Sequence, residues 1–437
     1  MKIRYRESLP FIVILLVSLL VGAVVQFAVG PSGLDELTGD QGDYHRLATQ
    51  FRSSGIFGEP EQVAYRAPLY PILLGNLYAR FGANIAVARG FNWLLAGMMA
   101  TVAAMIAYNI SQSLKSAWLA AGLVWLNSYW WLLQTELMPE NLAAVMLGIS
   151  IWCWPNFSSR SRAVGRRIQK HGAWVAASGV FLGLALLCKP TFLPVLLLLP
   201  IMAVVFSPPS QRQSQVAFGL IFVLVALIPL GGWSYRNYRS LKQWVPITTG
   251  SGEVFWGAHA PGTIANAKGS WTQQPLPAIY QAKIEAADPR EREIVSSQVR
   301  WEAGWASIRE ASFFDLTVHF LLKPLRLWSP SVYFEATGWW WLVKVPLIAF
   351  NALILGTFFY QLRRDYTIRP LVLALVAGLT VTSLVFWGTI RFQYILLPAI
   401  AAIAAQAYAQ YLPNLSLFQV RKRKHKRSEK FREAKFG

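Results

Sequence analysis

Gly39-Asp40-Gln41-Gly42-Asp43-Tyr44-His45-Arg46-Leu47-Ala48 follows the first apolar run of the chain, and Tyr65-Arg66-Ala67-Pro68-Leu69-Tyr70-Pro71 comes soon after. Carboxylates, a histidine, arginines and tyrosines crowd together here, whereas what surrounds them is apolar. Residues 10–29, immediately before, are long enough and greasy enough to cross a bilayer as a helix. The same reading extends outward. Of 437 residues 54% are hydrophobic and only 14% charged, with a mean hydropathy of +0.37, where soluble domains carry about a quarter charged. Backbone groups in lipid must be satisfied within each segment, so the expected class is an all-α polytopic membrane protein.

Ten spans are predicted, at 10–29, 84–110, 117–134, 142–154, 173–188, 192–206, 216–232, 339–360, 370–389 and 392–411. The first reads as a retained span, being long for a cleaved leader and followed by no clear Ala-x-Ala site. Basic segments at 1–6, 159–171, 363–365 and 421–427 then fall on one side, the cytoplasmic one, with both termini. The net charge of +20 follows from that bias and does not indicate nucleic acid. Four regions are expected: a membrane module at 1–232 with a catalytic outer loop at 30–82, an outer (periplasmic) subdomain at 233–319, transmembrane helices at 320–411, and a basic cytoplasmic tail at 412–437 suited to anionic lipid. In the outer loop, 40–53 is expected to lie on the membrane with Tyr44, Leu47 and Phe51 towards lipid. Residues 67–81 read as a juxtamembrane or re-entrant helix. Cys153 and Cys188 fall near opposite faces, which argues against a disulfide. Trp339-Trp340-Trp341 reads as an interfacial aromatic belt.

Once topology has sorted the basic loops, the remaining ionisable groups gather at the outer ends of spans: Asp40, Asp43, His45, Arg66, Arg89, Glu136, Glu140, Lys189, Arg236 and Arg391. Charges at that depth are costly unless paired or functional, and together they suggest one cavity open to the outside. Arg66, Lys189, Arg236 and Arg391 suit a phosphate. Asp40 and Glu136 suit a base or metal ligands. Each has a plainer alternative. Lys189 and Arg391 could snorkel, Asp40 could cap its helix, and Glu136 and Glu140 could cap the next span or pair with Arg89. His45 has no second histidine at metal-binding spacing.

The pattern Asp40-x-x-x-Tyr44-x-x-x-Ala48 with Arg66-Ala67-Pro68-Leu69-Tyr70-Pro71 resembles the first outer loop of the GT-C membrane glycosyltransferases. It is most similar to bacterial glycosyltransferase family 39, the protein O-mannosyltransferase-like proteins and the aminoarabinose (lipid A) transferases. Further matches follow in order: Arg89-Gly90-Phe91-Asn92, the acidic turn Thr135-Glu136-Leu137-Met138-Pro139-Glu140-Asn141-Leu142, Gly183-Leu184-Ala185 with Lys189-Pro190-Thr191, Gly232-Trp233-Ser234-Tyr235-Arg236-Asn237-Tyr238, and Arg391-Phe392-Gln393-Tyr394 leading to Pro398. The chain departs at Gln41, where many members have glutamate, at Gly232, where proline is usual, and at Gln393, where a basic residue is common.

The resemblance implies a GT-C bundle and an inverting transfer from a polyprenyl-phosphate sugar to a glycan, lipid or protein acceptor. The site would face the periplasm of a bacterial inner membrane. Asp40 aligns with the catalytic aspartate, and Glu136 would orient it or join it in holding a divalent metal cation. Tyr44, Arg66, Tyr70, Arg89, Lys189, Arg236 and Arg391 would bind substrate. No Gly-rich phosphate loop or Asp-x-Asp on the cytoplasmic side points to a nucleotide donor. Two alternatives stay open: a lipid or solute transporter, whose charges would line a path to both faces, and an oligosaccharide ligase or polymerase of another membrane fold.

Overall fold

Apolar runs that must satisfy their own backbone become helices. Helix is the only extended regular structure among the described residues, beside one isolated bridge from Glu59 to Gln62. The computed structural model describes residues 5–28, 37, 39–59, 61–154, 168–331 and 341–411. The first group is α1 (Tyr5–Ala28), α2 (Gly39–Ser54), α3 (Leu69–Phe81), α4 (Ile85–Ser111), α5 (Leu114–Trp125), α6 (Ser128–Leu133), α7 (Glu140–Cys153) and α8 (Ile168–Cys188). A 3-10 turn at Pro190–Phe192 leads to α9 (Val195–Val205) and α10 (Pro209–Leu241). An insert follows, with α11 (Ser251–His259), α12 (Pro261–Asn266), α13 (Ala278–Glu285) and α14 (Arg292–Glu310). After the insert come α15 (Phe313–Leu327), α16 (Trp341–Arg364), α17 (Arg369–Val385), α18 (Ile390–Tyr394) and α19 (Leu397–Tyr411). The cationic residues at 155–167, Trp339, Trp340 and the basic tail at 412–437 lie outside the described residues.

Four described helices are long and apolar enough to cross a membrane: α1, α4, α10 and α16. Segments of α7, α8, α9 and α17 are apolar but shorter. Large apolar side chains such as Leu20, Val24, Leu220, Leu224, Ile228 and Leu342 remain exposed, as lipid-facing residues do in an integral membrane protein. The ten expected spans are not all met as single helices. The span read at 117–134 breaks into α5 and α6 because the Asn127 side chain accepts the Tyr129 N–H at 3.0 Å and starts a new helix. The span read at 392–411 begins at Leu397, after the short α18. Helix α10 continues to Leu241, beyond the boundary read at 232. Asn237 Nδ2 there donates to the carbonyls of Val245 and Ile247, both at 3.1 Å, and folds the returning chain onto the helix.

Small residues let the helices approach closely. Alanines at 96, 100, 103, 104 and 107 of α4 and at 399, 401, 402, 404 and 405 of α19 are buried. A Cβ added at Gly183 of α8 would lie 2.5 Å from the Ala226 carbonyl oxygen of α10, a contact only glycine permits. Ser150 of α7 and Ser178 of α8 each donate to the other's carbonyl at 2.8 Å. Cys153 and Cys188 are free and buried, at the ends of α7 and α8.

Helix α2 forms where expected, but its apolar face does not turn to lipid. Tyr44 and Leu47 are each 5% exposed, and the Tyr44 ring meets Tyr70 of α3 edge-on at 5.4 Å. Gly75 of α3 lets this happen, since a Cβ there would lie 2.8 Å from the Ala48 carbonyl. The two outer-loop helices therefore bury their apolar faces against each other and the bundle, which removes that area from solvent without a lipid contact.

Candidate active site

The charges are placed where helix ends favour them. Asp40 lies in the first turn of α2 and Glu140 opens α7, both at the electropositive ends of helices. Lys189 follows the last residue of α8, where a cation is favoured. Arg391 lies in the short α18, whose cap is the Thr389 hydroxyl accepting the Arg391 N–H at 3.3 Å.

These side chains alternate in sign along one network. Arg66 donates to Asp43 Oδ2 through Nη2 at 2.6 Å and Nε at 3.2 Å. The same Nη2 lies 2.7 Å from Asp40 Oδ1. Arg391 Nη2 donates to Asp40 Oδ2 at 3.1 Å, and its Nε pairs with Glu140 Oε1. Lys189 Nζ pairs with that same oxygen. Glu140 is fully buried, whereas the Asp40 side chain keeps 31% of its surface. The network is thus rooted in the protein at Glu140 and open at Asp40.

A neutral polar layer fixes the turn at 134–139 beside it. Asn92 Nδ2 donates to the Tyr70 hydroxyl at 3.0 Å and to the Glu136 carbonyl. Asn141 Nδ2 donates to the Leu133 carbonyl at 2.9 Å, and the Tyr394 hydroxyl donates to Asn141 Oδ1 at 2.5 Å. Gln41 has a task of its own: its side-chain oxygen accepts the Leu137 N–H at 3.1 Å and ties the Asp40 turn to the Glu136 turn.

The two carboxylates named from sequence differ electrostatically. Burial alone would raise the Asp40 pKa, but Arg66, Arg391 and Lys189 outweigh it and hold the group below its ordinary value. Glu136 is pushed up to about 7, chiefly by burial, with Arg391 opposing and the charges of Glu140 and Asp40 adding to the rise.

Of the residues picked from sequence, Asp40, Arg66, Lys189 and Arg391 come together in this network. Tyr44 lies under it, with the Arg66 guanidinium 5.8 Å from its ring centre, and Glu136 shares its field. Three others are not brought in. Tyr70 is wholly buried and stacks on Phe91 at 6.0 Å. Arg236 spends its guanidinium on the carbonyls of Val63, at 2.8 Å, and Phe57. Arg89 makes no ion pair among the described residues with either glutamate, and its Nε and Nη2 are buried without a partner there. Asp43, which the sequence marks only as a charge at a span end, and Glu140, which it reads as a cap of the next span or a partner of Arg89, hold the network at its two ends.

The donor set does not fit a divalent cation. Both Asp40 oxygens are engaged by guanidinium groups, Glu140 by Arg391 and Lys189. Among the described residues no three His, Cys, Asp or Glu side chains gather as a metal site.

No family model and no curated protein matches the sequence. Solved structures do match. The oligosaccharyltransferase AglB of Archaeoglobus fulgidus, in complex with an inhibitory peptide and a dolichol-phosphate, is 12% identical with a TM-score of 0.54, over 96% of this chain and 52% of that one. Its apo form gives a TM-score of 0.55 with the same identity and coverage. ArnT of Cupriavidus metallidurans bound to undecaprenyl phosphate is 14% identical over 94% of this chain and 80% of that one, with a TM-score of 0.41. The chain spans about half the length of the archaeal structures. At such identity what is shared with the archaeal oligosaccharyltransferase is the fold.

Proposed function

We propose that the protein is an inverting glycosyltransferase that moves a sugar from a polyprenyl-phosphate donor to an acceptor at the Asp40 end of the bundle. The observation that carries this reading is the placement of one partly open carboxylate, Asp40, between two guanidinium groups, with a third cation behind them. A phosphate needs the cations and an attacking hydroxyl needs the carboxylate.

The phosphate enters between Arg66, Arg391 and Lys189 and takes over hydrogen bonds that the carboxylates hold in the resting site. Asp40, relieved of its guanidinium partners, gains basicity as the donor binds. The acceptor oxygen attacks the anomeric carbon and its proton passes to Asp40. The bond from that carbon to the phosphate oxygen breaks, the electron pair leaves with polyprenyl phosphate, and configuration inverts. The cations stabilise the charge that grows on the departing phosphate. In this reading the site faces the periplasm of a bacterial inner membrane, both termini are cytoplasmic, and the region at 233–319 lies with the site on the outer side.

The test is release of free polyprenyl phosphate, followed by mass spectrometry, from purified full-length protein in nanodiscs given a panel of polyprenyl-phosphate sugars and acceptors. Wild type is expected to release it from at least one donor. Asp40→Asn should lower the rate by about a hundredfold or more with the fold intact. Turnover that survives in the variant would remove Asp40 from the chemistry.

A further inference from the structure

The insert carries a cavity that the transfer chemistry does not use. It has a volume of about 430 Å3 and is lined by Trp256, Trp271, Gln273, Gln274, Gln281 and Arg300, with Glu253 at one edge. That volume falls within the range of small-ligand pockets, roughly 300–1,000 Å3. A second cavity, of about 180 Å3, shares Glu253 and Arg300 with it and reaches Tyr65. The two adjoin at Glu253 and Arg300, making a groove that runs from the insert to the loop carrying Tyr65.

Both ends of the groove lead to the ion network. At one end the Tyr65 hydroxyl donates to Glu253 Oε2 at 2.8 Å, and the Tyr65 ring lies 4.8 Å from the guanidinium of Arg66, which pairs with Asp40. At the other end the Trp271 ring is 6.4 Å from Trp387, and Trp387 is 5.4 Å from Phe392. The Phe392 ring lies 5.7 Å from Lys189 Nζ. Residues beside the reacting centre and residues of the cavity wall are therefore joined by direct contacts.

The chemistry of the wall is that of a site for a polyhydroxylated ring. Trp256 is buried and spends its N–H on the Gln274 carbonyl at 2.9 Å. Trp271 is half-buried, and its indole N–H has no partner among the described residues. Gly257 allows that ring to lie against α11, because any Cβ there would collide with the indole nitrogen. Three glutamine amides stand around the rings; Gln274 Nε2 donates to Thr272 Oγ1 at 3.3 Å and Gln281 Nε2 to Glu285 Oε1 at 3.0 Å, which leaves each a second N–H and a carbonyl oxygen to meet sugar hydroxyls. Arg300 and Glu253 supply one charge of each sign, so the wall selects for neither an anion nor a cation. An aromatic face flanked by amides suits the apolar face and the hydroxyl edge of a sugar. A peptide is recognised by an open strand edge or by apolar anchor pockets, and the wall has only Leu276 and Pro275 as aliphatic members.

We infer that this groove binds a carbohydrate acceptor, with sugar units stacked at Trp271 and the growing end directed along the groove to Asp40. The inference rests on the transfer reading for the purpose of the bound glycan, but not for its binding.

The experiment measures binding and turnover separately on the full chain in nanodiscs. Tryptophan fluorescence and calorimetry follow titration with maltotetraose, mannotetraose, chitotetraose and an octapeptide containing Asn, Ser and Thr. Wild type should bind at least one tetrasaccharide and not the peptide. Trp271→Ala should weaken that binding by about tenfold, the effect of losing one aromatic contact. The paired surface change Gln273→Ala with Gln281→Ala should weaken it too, and it touches only exposed side chains. Polyprenyl phosphate release by wild type is scored in parallel. Release without binding of any tetrasaccharide overturns the groove's assignment and leaves the transfer reading in place. Saccharide binding that both variants weaken, with no release from any donor, supports the groove and overturns transfer. Binding of the peptide alone, or saccharide binding that neither variant alters, also overturns the assignment.

Discussion

Asp40 and Glu136 both feel Arg391, yet one is held ionised and the other is poised near neutrality. This separates their signatures in a pH profile. Asp40 stays charged throughout the physiological range in the donor-free site, whereas Glu136 gains its charge as pH rises through about 7 and the buried Lys323, pushed down to about 7, loses its charge there. If the Glu136 charge helps turnover, kcat/KM should climb between about pH 6 and pH 8, and Glu136→Gln should flatten that limb. A limb that persists unchanged in the variant would assign it to another group. Glu140 should behave as a structural charge. Glu140→Gln leaves Lys189 and Arg391 without their buried partner, and loss of about 3–5 kcal/mol is expected, read as a lowered thermal unfolding midpoint in detergent. An unchanged midpoint would show that the two cations repair with other groups. Sequence already separated Asp40, Arg66, Lys189 and Arg391 from the basic loops, because charges at apolar span ends stand out. It favoured Glu136 over Glu140 in the turn they share, and did not reveal that Glu140 is the one paired with Lys189 and Arg391. Which of them is buried depends on the phase at which α7 begins. Nor could it see that Arg236 serves loop carbonyls, since a guanidinium at a span end reads the same whatever it faces.

Where α17 ends, two glycines clamp the insert to the bundle. The Gly388 N–H donates to the Gly269 carbonyl at 3.0 Å, and the Gly269 N–H, at φ +76°, donates to His319 Nδ1 at 3.0 Å. A Cβ at Gly388 would collide with the Lys323 carbonyl. Lys323 is itself buried, donating to His259 Nε2 at 2.7 Å and the Leu384 carbonyl at 3.0 Å. Each glycine has a tryptophan close by in sequence, Trp271 and Trp387, so the clamp also aligns the aromatic track. Gly388→Ala should therefore cost about 1–3 kcal/mol, as overpacking does, and should change tryptophan emission. A variant with wild-type melting and emission would contradict the clamp. Helix positions were largely legible, since α2 and α3 form almost where the spacing predicts. Their burial was not. An apolar stripe of three and four spacing fits lipid or protein equally well, and Gly75 decides the matter only once α2 is seen to cross it.

Contacts that make the site span the length of the chain. Asp40 and Arg391 are 351 positions apart, and Glu140 and Arg391 are 251 apart. The insert is joined to the first loop in the same way. Glu293 accepts the N–H groups of Val63 at 2.6 Å and Ala64 at 2.9 Å, across 230 and 229 positions. Periodicity carries no record of such pairings, which is why the order of spans could be read while the partners of the insert could not. A chain stopped after Gly388 should still insert, because α1, α4, α10 and α16 precede that point, but it should release no polyprenyl phosphate. Release by the shortened chain would show that Arg391 is dispensable. During synthesis the carboxylate meets its second guanidinium only after Arg391 has been made. A nascent chain that has not reached that residue therefore lacks one wall of the ion network, and on the proposed reading it cannot turn over a donor before then.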